Sequence, residues 1–581
     1  VNLNHPKAVT FLSLIPFFFL TIAVIIFTVD VFYWDEWVIW SNMLFKLELG
    51  KLGFADLLAQ NNEQRMLLTR LFGIILEKPF GAHRLIACLF NVLLVSAIFI
   101  LLVQLYKRTM AEIKIKNLNW PIIAIAFLLF SFIQWETFFV GLANSFLTSM
   151  VCFFSGLLLM TDRKIQLWKF LLVLLFGVLG SFQVASGLFF WIAILFPIFG
   201  LEVSKFKKRI YLMLSFLVGV CAWFIYFYGY QSPPHHPSVL YSLSSPIRAF
   251  GYLLALMGNC VISKYYLISI SIIIGLVGLI FLIEVLMNFK KNSFLKYQTI
   301  IIWLSVIAYS LLTMLAITAG RCGFGVNYAL QSRYATQCNI FWIALFVLMV
   351  IIQKLYPSNY KKLVQTKILF FFLFSAFFIF SSCMSMRHIY WRTLSLTQGR
   401  EELFALDEPD KLSSIFPVPN YLYNILPLFF KNRQSIYREI KKFSDYRPIQ
   451  KIGGEIISCK SEEINGCKGV MISGMLANEF QKDQIEYVLI TVDDKIIFAC
   501  KPNSDCSWKV FLTNNFFPSE AITISAYALN AEDEIAECES NLDLNLNLND
   551  LDPPSYDLSK NFYCIDFLGQ KKSSRKTGSF E

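Results

Sequence analysis

The stretch Ala8–Val29, AVTFLSLIPFFFLTIAVIIFTV, carries no charge along its whole length, and Asp30-Val31-Phe32-Tyr33-Trp34-Asp35-Glu36-Trp37 follows at once. As an α-helix, such a segment rises about 33 Å, enough to cross the ~30 Å hydrocarbon core of a bilayer. No A-x-A-like cleavage site follows it, so the reading is a retained helix rather than a signal peptide. The acids then land at the far membrane surface. Trp34 and Trp37 flank them, as residues favoured at a lipid–water boundary. Paired carboxylates at that level are the first place to look for chemistry.

The rest of the chain has the same character. Of 581 residues, 56% are hydrophobic and only 16% charged, with 58 phenylalanines concentrated in apolar runs. A water-soluble chain would carry roughly a quarter charged residues. The expected fold class is therefore an α-helical polytopic membrane protein. Charge-poor runs near 9–31, 85–105, 120–137, 144–161, 167–181, 186–202, 210–229, 264–288, 298–319, 338–354 and 366–384 predict about eleven spans. The net charge of +11 does not indicate nucleic acid, because the positives cluster in short alternate loops. Examples are Lys107 and Arg108, Arg163 and Lys164, Lys205–Arg209, and Lys361 and Lys362. That is the positive-inside pattern, which puts the N-terminus in the cytoplasm and, with an odd span count, the C-terminus outside.

Residues 1–385 read as the membrane domain and 386–446 as a partly helical connector broken by Pro417, Pro419 and Pro427. Over 447–569, short β-prone runs (EYVLITV, KIIFAC, WKVFLT, AITISAYAL, FYCIDF) alternate with turn signals. They predict an all-β, sandwich-like extracytoplasmic domain. Residues 570–581 form a basic, Ser-rich tail read as disordered. In the first outer loop, Trp37, Trp40, Met43, Leu44 and Leu47 recur at helical spacing and predict an interfacial helix. Six cysteines lie in the β domain, and an even number outside the membrane favours disulfides. The short separations point to Cys459–Cys467 and Cys500–Cys506, leaving Cys538–Cys564.

The outer loops collect carboxylates, amides and arginines, whereas the inner ones offer little beyond Lys and Arg. Asp35 or Glu36 beside low-dielectric lipid suits proton abstraction from a hydroxyl; the plainer role is a helix cap or a partner for Arg65. Asn62, Glu63 and Arg65 could bind sugar hydroxyls or phosphate, or simply begin a solvated helix. Glu136, in the tight loop beside Trp135, is either a site residue or half of an ion pair. Arg321, Arg333 and Tyr334 surround the Gly-rich string Gly320–Thr336, GRCGFGVNYALQSRYAT, and suit bidentate phosphate binding. Its glycines do not form a nucleotide-binding fingerprint. His235 and His236 could hold phosphate or a metal, or decorate a solvated Pro-rich loop.

With these residues in place, the chain resembles the GT-C superfamily of polytopic glycosyltransferases over roughly residues 1–385. The resemblance rests on the acidic pair after the first span, a long first outer loop and polar outer loops thereafter. More narrowly, it is similar to a bacterial branch with an N-E-H-R-like string, a W-E-N-like string, an S-G-x-x-x-W element and a late S-R-Y. Here these read Asn62-Glu63-Gln64-Arg65, Trp135-Glu136-Thr137, Ser186-Gly187 with Trp191, and Ser332-Arg333-Tyr334. Gln64 stands where the branch has His, and Thr137 where it has Asn.

The resemblance implies a bacterial inner-membrane enzyme. It would move a sugar from a polyprenyl-phosphate carrier to a glycan or other acceptor hydroxyl on the extracytoplasmic side, with inversion. Asp35 would be the base, Glu36 or Glu136 an auxiliary carboxylate, and Arg333 the phosphate ligand. No metal is required, because arginine offsets the charge of the departing phosphate, although a divalent cation is compatible with the acids. Three rival readings remain: a transporter or flippase of lipid-linked glycan, an O-antigen polymerase or ligase, and a membrane-anchored carbohydrate receptor.

Overall fold

The computed structural model describes residues 5–233, 236–261, 267–291, 297–355, 361–449, 453–464, 467–477, 485–492, 495–513, 516–517 and 524–540. Cys564, the tail 570–581 and His235 lie outside these residues. The described chain is mostly helical, with a β-rich C-terminal domain. It divides into two compact units. The first comprises 1–28, 54–73 and 85–390, and the second 29–53, 74–84 and 391–581.

Among the described residues, nine helices are long and apolar enough to cross a membrane: Pro6–Phe27, Arg84–Glu112, Pro121–Phe139, Gly141–Leu159, Lys205–Phe227, Ile268–Asn288, Gln298–Phe324, Ser332–Leu355 and Phe370–Glu402. Each matches one of the eleven expected runs. The other two, 167–181 and 186–202, are the shorter helices Leu167–Ser181 and Ala185–Gly200. At 1.5 Å per residue these rise only about 23 Å, short of the hydrocarbon thickness.

The centre of the first unit is helix Ser332–Leu355, in which 18 of 24 residues are buried. Its contact with helix Pro121–Phe139 is polar at three successive levels. Ser332 Oγ accepts the Glu136 amide at 3.1 Å, Thr336 and Thr137 share a 2.8 Å hydroxyl bond, and Asn339 Nδ2 donates to the Leu128 carbonyl at 2.9 Å. Glycine provides the other close fit. A Cβ at Gly275 would fall on the Leu254 carbonyl and one at Gly258 on the Ser271 carbonyl, so helices Pro246–Gly258 and Ile268–Lys291 meet backbone to backbone. At the other end of the bundle, Glu112 caps a neighbouring helix. Its carboxylate accepts the amides of Gln298 and Thr299, both at 2.9 Å, and is paired with Arg163.

In the second unit, helix Asp35–Glu48 corrects the interfacial expectation. Its apolar stripe is core: Trp37 is fully buried, and Trp40, Met43 and Leu44 nearly so. Trp37 sits edge-on to Phe32 and Phe429, at 5.2 and 5.0 Å between ring centres. Trp34 alone of the flanking pair is exposed.

The strands are β1 (Arg447–Pro448), β2 (Gly454–Ile464), β3 (Cys467–Leu476), β4 (Ile485–Val492), β5 (Lys495–Cys500), β6 (Ser507–Thr513), β7 (Ile524–Asn530) and β8 (Glu534–Ser540). Where a two-sheet sandwich was expected, they hydrogen-bond into one continuous eight-stranded sheet. Its order is β5-β4-β7-β8-β2-β3-β6, with β1 beside β8. β8 joins β1 and β2 in parallel, and every other pairing is antiparallel.

The expected disulfides do not form among the described residues, where every cysteine is a free thiol. Register explains Cys459 and Cys467. Cys459 lies opposite Ile472 and Cys467 opposite Ile464, so the two sit five rows apart, about 17 Å along the ladder. A disulfide needs Cα atoms within about 7 Å. Cys500 is enclosed in the core with its thiol 3.5 Å from the Val488 carbonyl, while Cys506 lies in the following turn.

The glycine contact yields a prediction. Gly275→Ala forces a methyl into backbone, and overpacking of this kind costs about 1–3 kcal/mol. The apparent unfolding temperature of the purified protein should fall by several degrees. Gly251→Ala, where the new methyl meets nothing, should leave it unchanged.

Candidate functional site

Loop one of the first unit is fixed by its own arginines. Asn61 and Gln64 pair backbone to backbone at 2.8 and 2.9 Å, which forms a tight turn with Asn62 in the left-handed region at φ +50°. Arg65 donates to the carbonyls of Tyr226, Tyr228 and Leu58, and Arg70 to those of Asp56, Leu57, Ala59 and Arg65. Gln60 docks the turn on Gln231 through its side-chain amide, at 2.6 and 3.0 Å. Arg65 is thus a loop fastener.

This fastening presents Glu63 to Arg321, the last residue of helix Gln298–Arg321. Glu63 Oε2 also lies 3.7 Å from His236 Nδ1. An arginine at a helix C-terminus is favoured by the helix dipole. Tyr230 lies within the fields of both Glu63 and Arg321. Burial, then the Glu63 charge, pushes its phenol above the ordinary value, so it remains a neutral hydrogen-bond donor.

Arg333 has the opposite situation, because it stands in the first turn of its helix, where the dipole repels a cation. Glu136 offsets this. Its Oε2 accepts the Arg333 amide at 2.8 Å and its Oε1 the guanidinium at 3.2 Å. The guanidinium also donates to Tyr328 Oη at 2.8 Å and lies 5.4 Å from the Tyr334 ring centre. The rings of His236, Phe324, Tyr328 and Tyr334 follow one another with centres 6.3, 4.8 and 6.3 Å apart, which links the Glu63 pair to the Arg333 pair around the Gly-rich loop. Asn259 clamps that loop by donating to the Ala329 and Gln331 carbonyls, at 3.1 and 3.0 Å. The structure therefore brings Glu63, His236, Arg321, Glu136, Arg333 and Tyr334 together in the first unit. It adds Tyr328 and Tyr230, which the sequence reading had passed over although Tyr328 stands inside the quoted string.

The remaining motif element is structural. Gly187 packs on the Gly180 carbonyl, and buried Trp191 donates to Ser181 Oγ at 2.9 Å.

The acidic pair belongs to the second unit. Asp35 opens helix Asp35–Glu48 and is half-buried. Glu36 is 2% exposed and both its oxygens are engaged: Oε1 with Arg84 at 2.5 Å, and Oε2 with the Tyr33 amide at 2.8 Å. Arg84 in turn lies 4.9 Å from the Phe32 ring centre. The Arg84 amide donates to Asp30, which also pairs with His83 at 3.2 Å and with Arg438. Burial lowers the His83 pKa, and the Asp30 charge opposes that shift. Glu36 is thus an ion-pair partner of Arg84 that also holds the Tyr33 amide; helix Asp35–Glu48 has no side-chain cap.

Comparison of the chain with protein-family models, with curated proteins and with solved structures gives no match in any of the three.

Removing one partner of a buried ion pair leaves the other charge uncompensated, at about 3–5 kcal/mol. Glu36→Gln should therefore lower the apparent unfolding temperature strongly, whereas a Glu36→Met, Arg84→Met double variant should recover most of the loss. A double variant as unstable as the single would refute the pairing.

Proposed function

We propose that this protein is an integral membrane glycosyltransferase that moves a sugar from a polyprenyl-phosphate carrier to an acceptor hydroxyl on the extracytoplasmic side. The observation that supports this reading is the row of rings His236, Phe324, Tyr328 and Tyr334 with a held guanidinium toward each end, Arg321 on Glu63 beside His236 and Arg333 on Glu136 beside Tyr328 and Tyr334. Held guanidiniums suit a phosphate that leaves as an anion, and tyrosine faces and hydroxyls suit a sugar.

The carboxylates divide by what already occupies them. Glu36 spends both oxygens on Arg84 and the Tyr33 amide, Glu136 both on Arg333, and Glu63 lies between Arg321 and His236. In this proposal they orient arginines and loops. The proton-accepting role stays with Asp35, in the second unit, on the strength of the sequence reading and is decided by the test below. In the first unit, Arg333 would offset the charge on the departing lipid phosphate, with Arg321 and His236 flanking the donor. No metal enters these steps.

The test uses purified protein in lipid nanodiscs with a labelled undecaprenyl-phosphate sugar and cell-envelope glycan as acceptor. Loss of a general base lowers turnover by about 10²–10⁴-fold, so Asp35→Asn should fall in that range while keeping its unfolding temperature. Arg333→Ala should lose transfer comparably, by loss of phosphate stabilisation. Full transfer in both variants would overturn the assignment. Movement of the lipid-linked sugar across liposomes without transfer would favour the flippase.

A further inference from the structure

We propose that the second unit meets phospholipid through a rim of apolar side chains placed where three of the long apolar helices leave the bilayer. The rim is made of Trp34, Ile75, Leu76, Phe80 and Trp391, all in the second unit and 47%, 57%, 36%, 61% and 56% exposed. The interfacial role expected of helix Asp35–Glu48, whose apolar stripe is core, falls to these residues instead.

Chain length puts each of them near the end of a span. Phe80 stands four residues before Arg84, which begins span Arg84–Glu112, and Trp34 stands seven after Phe27, which ends span Pro6–Phe27. Four extended residues reach at most about 14 Å. The turn at Gly81, with φ +63° and its amide bonded to the Lys78 carbonyl, shortens that reach. Helix Phe370–Glu402 has 33 residues and rises about 50 Å, so it must project beyond the ~30 Å hydrocarbon core. Trp391 comes about 32 Å along its axis, where a helix entering the core at Phe370 leaves it.

Polar contacts within the second unit tie the three exits to one another. Asp30, three residues past the first span, accepts the Arg84 amide at 2.8 Å. Arg392, next to Trp391, lies 4.5 Å from the ring centre of Tyr33, which adjoins Trp34. The backbone behind the rim is fixed as well. The Trp34 amide donates to the Ile415 carbonyl at 2.9 Å, and the Gly81 carbonyl accepts the Ser435 amide at 2.7 Å. The side chains are therefore held outward on an ordered support.

A single exposed apolar residue needs no partner, but five at the exits of three spans form a pattern. Tryptophan is favoured at the lipid–water boundary, and Lys78, exposed in the same short turn as Phe80, can lay its stem on the apolar layer and meet a lipid phosphate. The occupant is lipid rather than a second protein because covalent continuity with the spans brings phospholipid beside these side chains in every inserted molecule. The inference holds for either face of the membrane and does not depend on glycosyl transfer.

Ile75, Phe80 and Trp391 are each replaced, in the full chain, by the photo-cross-linker p-benzoyl-L-phenylalanine, and the protein is placed in nanodiscs containing fluorescent phospholipid. Leu93, 63% exposed on span Arg84–Glu112, carries the same group as the reference for lipid contact. On irradiation, the yield of lipid adduct at each rim position should come within about tenfold of that at Leu93. A lower yield at any of the three, or cross-links to a second copy of the chain in place of lipid, would overturn the proposal.

Discussion

A carboxylate cannot be left alone once packed side chains replace water, and this constraint sets the arrangement of both units. Glu36, Glu63 and Glu136 are each matched by an arginine, at sequence separations of 48, 258 and 197 residues. Desolvating either partner costs several kcal/mol, which only close, hydrogen-bonded pairing repays. Each pair therefore dictates which distant segments must be neighbours. Arginine suits the task because its planar fork meets several acceptors at once. Arg333 spends one arm on Glu136 and another on Tyr328, while its backbone amide secures the same carboxylate.

Apolar helices in lipid gain little hydrophobic energy by touching each other, so their register needs another source. In the first unit that source is backbone proximity at Gly258 and Gly275, together with the polar rungs Ser332, Thr336 and Asn339 on the most buried helix. The rungs carry the positioning outward. Ser332 holds the Glu136 amide, Glu136 holds Arg333, and Arg333 orders Tyr328. The patch around the Gly-rich loop thus inherits its geometry from the rigid helix beneath it rather than from the loop's own conformation.

How much of this was legible in the sequence depended on the range of the interaction. The nine long helices were readable because an uncharged run of sufficient length has only one cheap environment. The stripe Trp37, Trp40, Met43 and Leu44 showed that one helix face is buried, but periodicity does not say against what; Phe32 and Phe429 take the place given to lipid. The grouping of Glu63, Glu136, Arg321 and Arg333 as polar outer-loop residues was readable, whereas the exact pairs were not. Arg84 escaped notice because it heads a long apolar helix, where it reads as a flanking charge. The cysteine pairs failed for a similar reason. Sequence spacing is short between Cys459 and Cys467, but hairpin register converts it into five rows of separation.

The pairing constraint bears on the chemistry as well. A neutral Arg–carboxylate couple beside low-dielectric surroundings costs less than a bare guanidinium, yet it keeps the cation charged and aimed. Under the proposed reading this is how the first unit can hold two arginines ready for a lipid-linked phosphate without a large charge penalty when no substrate is bound. The same logic separates the holders from the base. A carboxylate whose two oxygens each accept a hydrogen bond, one of them from an arginine, is held in place and made less basic, as Glu136 and Glu36 are. General-base chemistry calls for a carboxylate whose oxygen can exchange its partner for a substrate hydroxyl. Under the proposed reading that requirement is put to Asp35, which is half-buried at the start of its helix whereas Glu36 is enclosed.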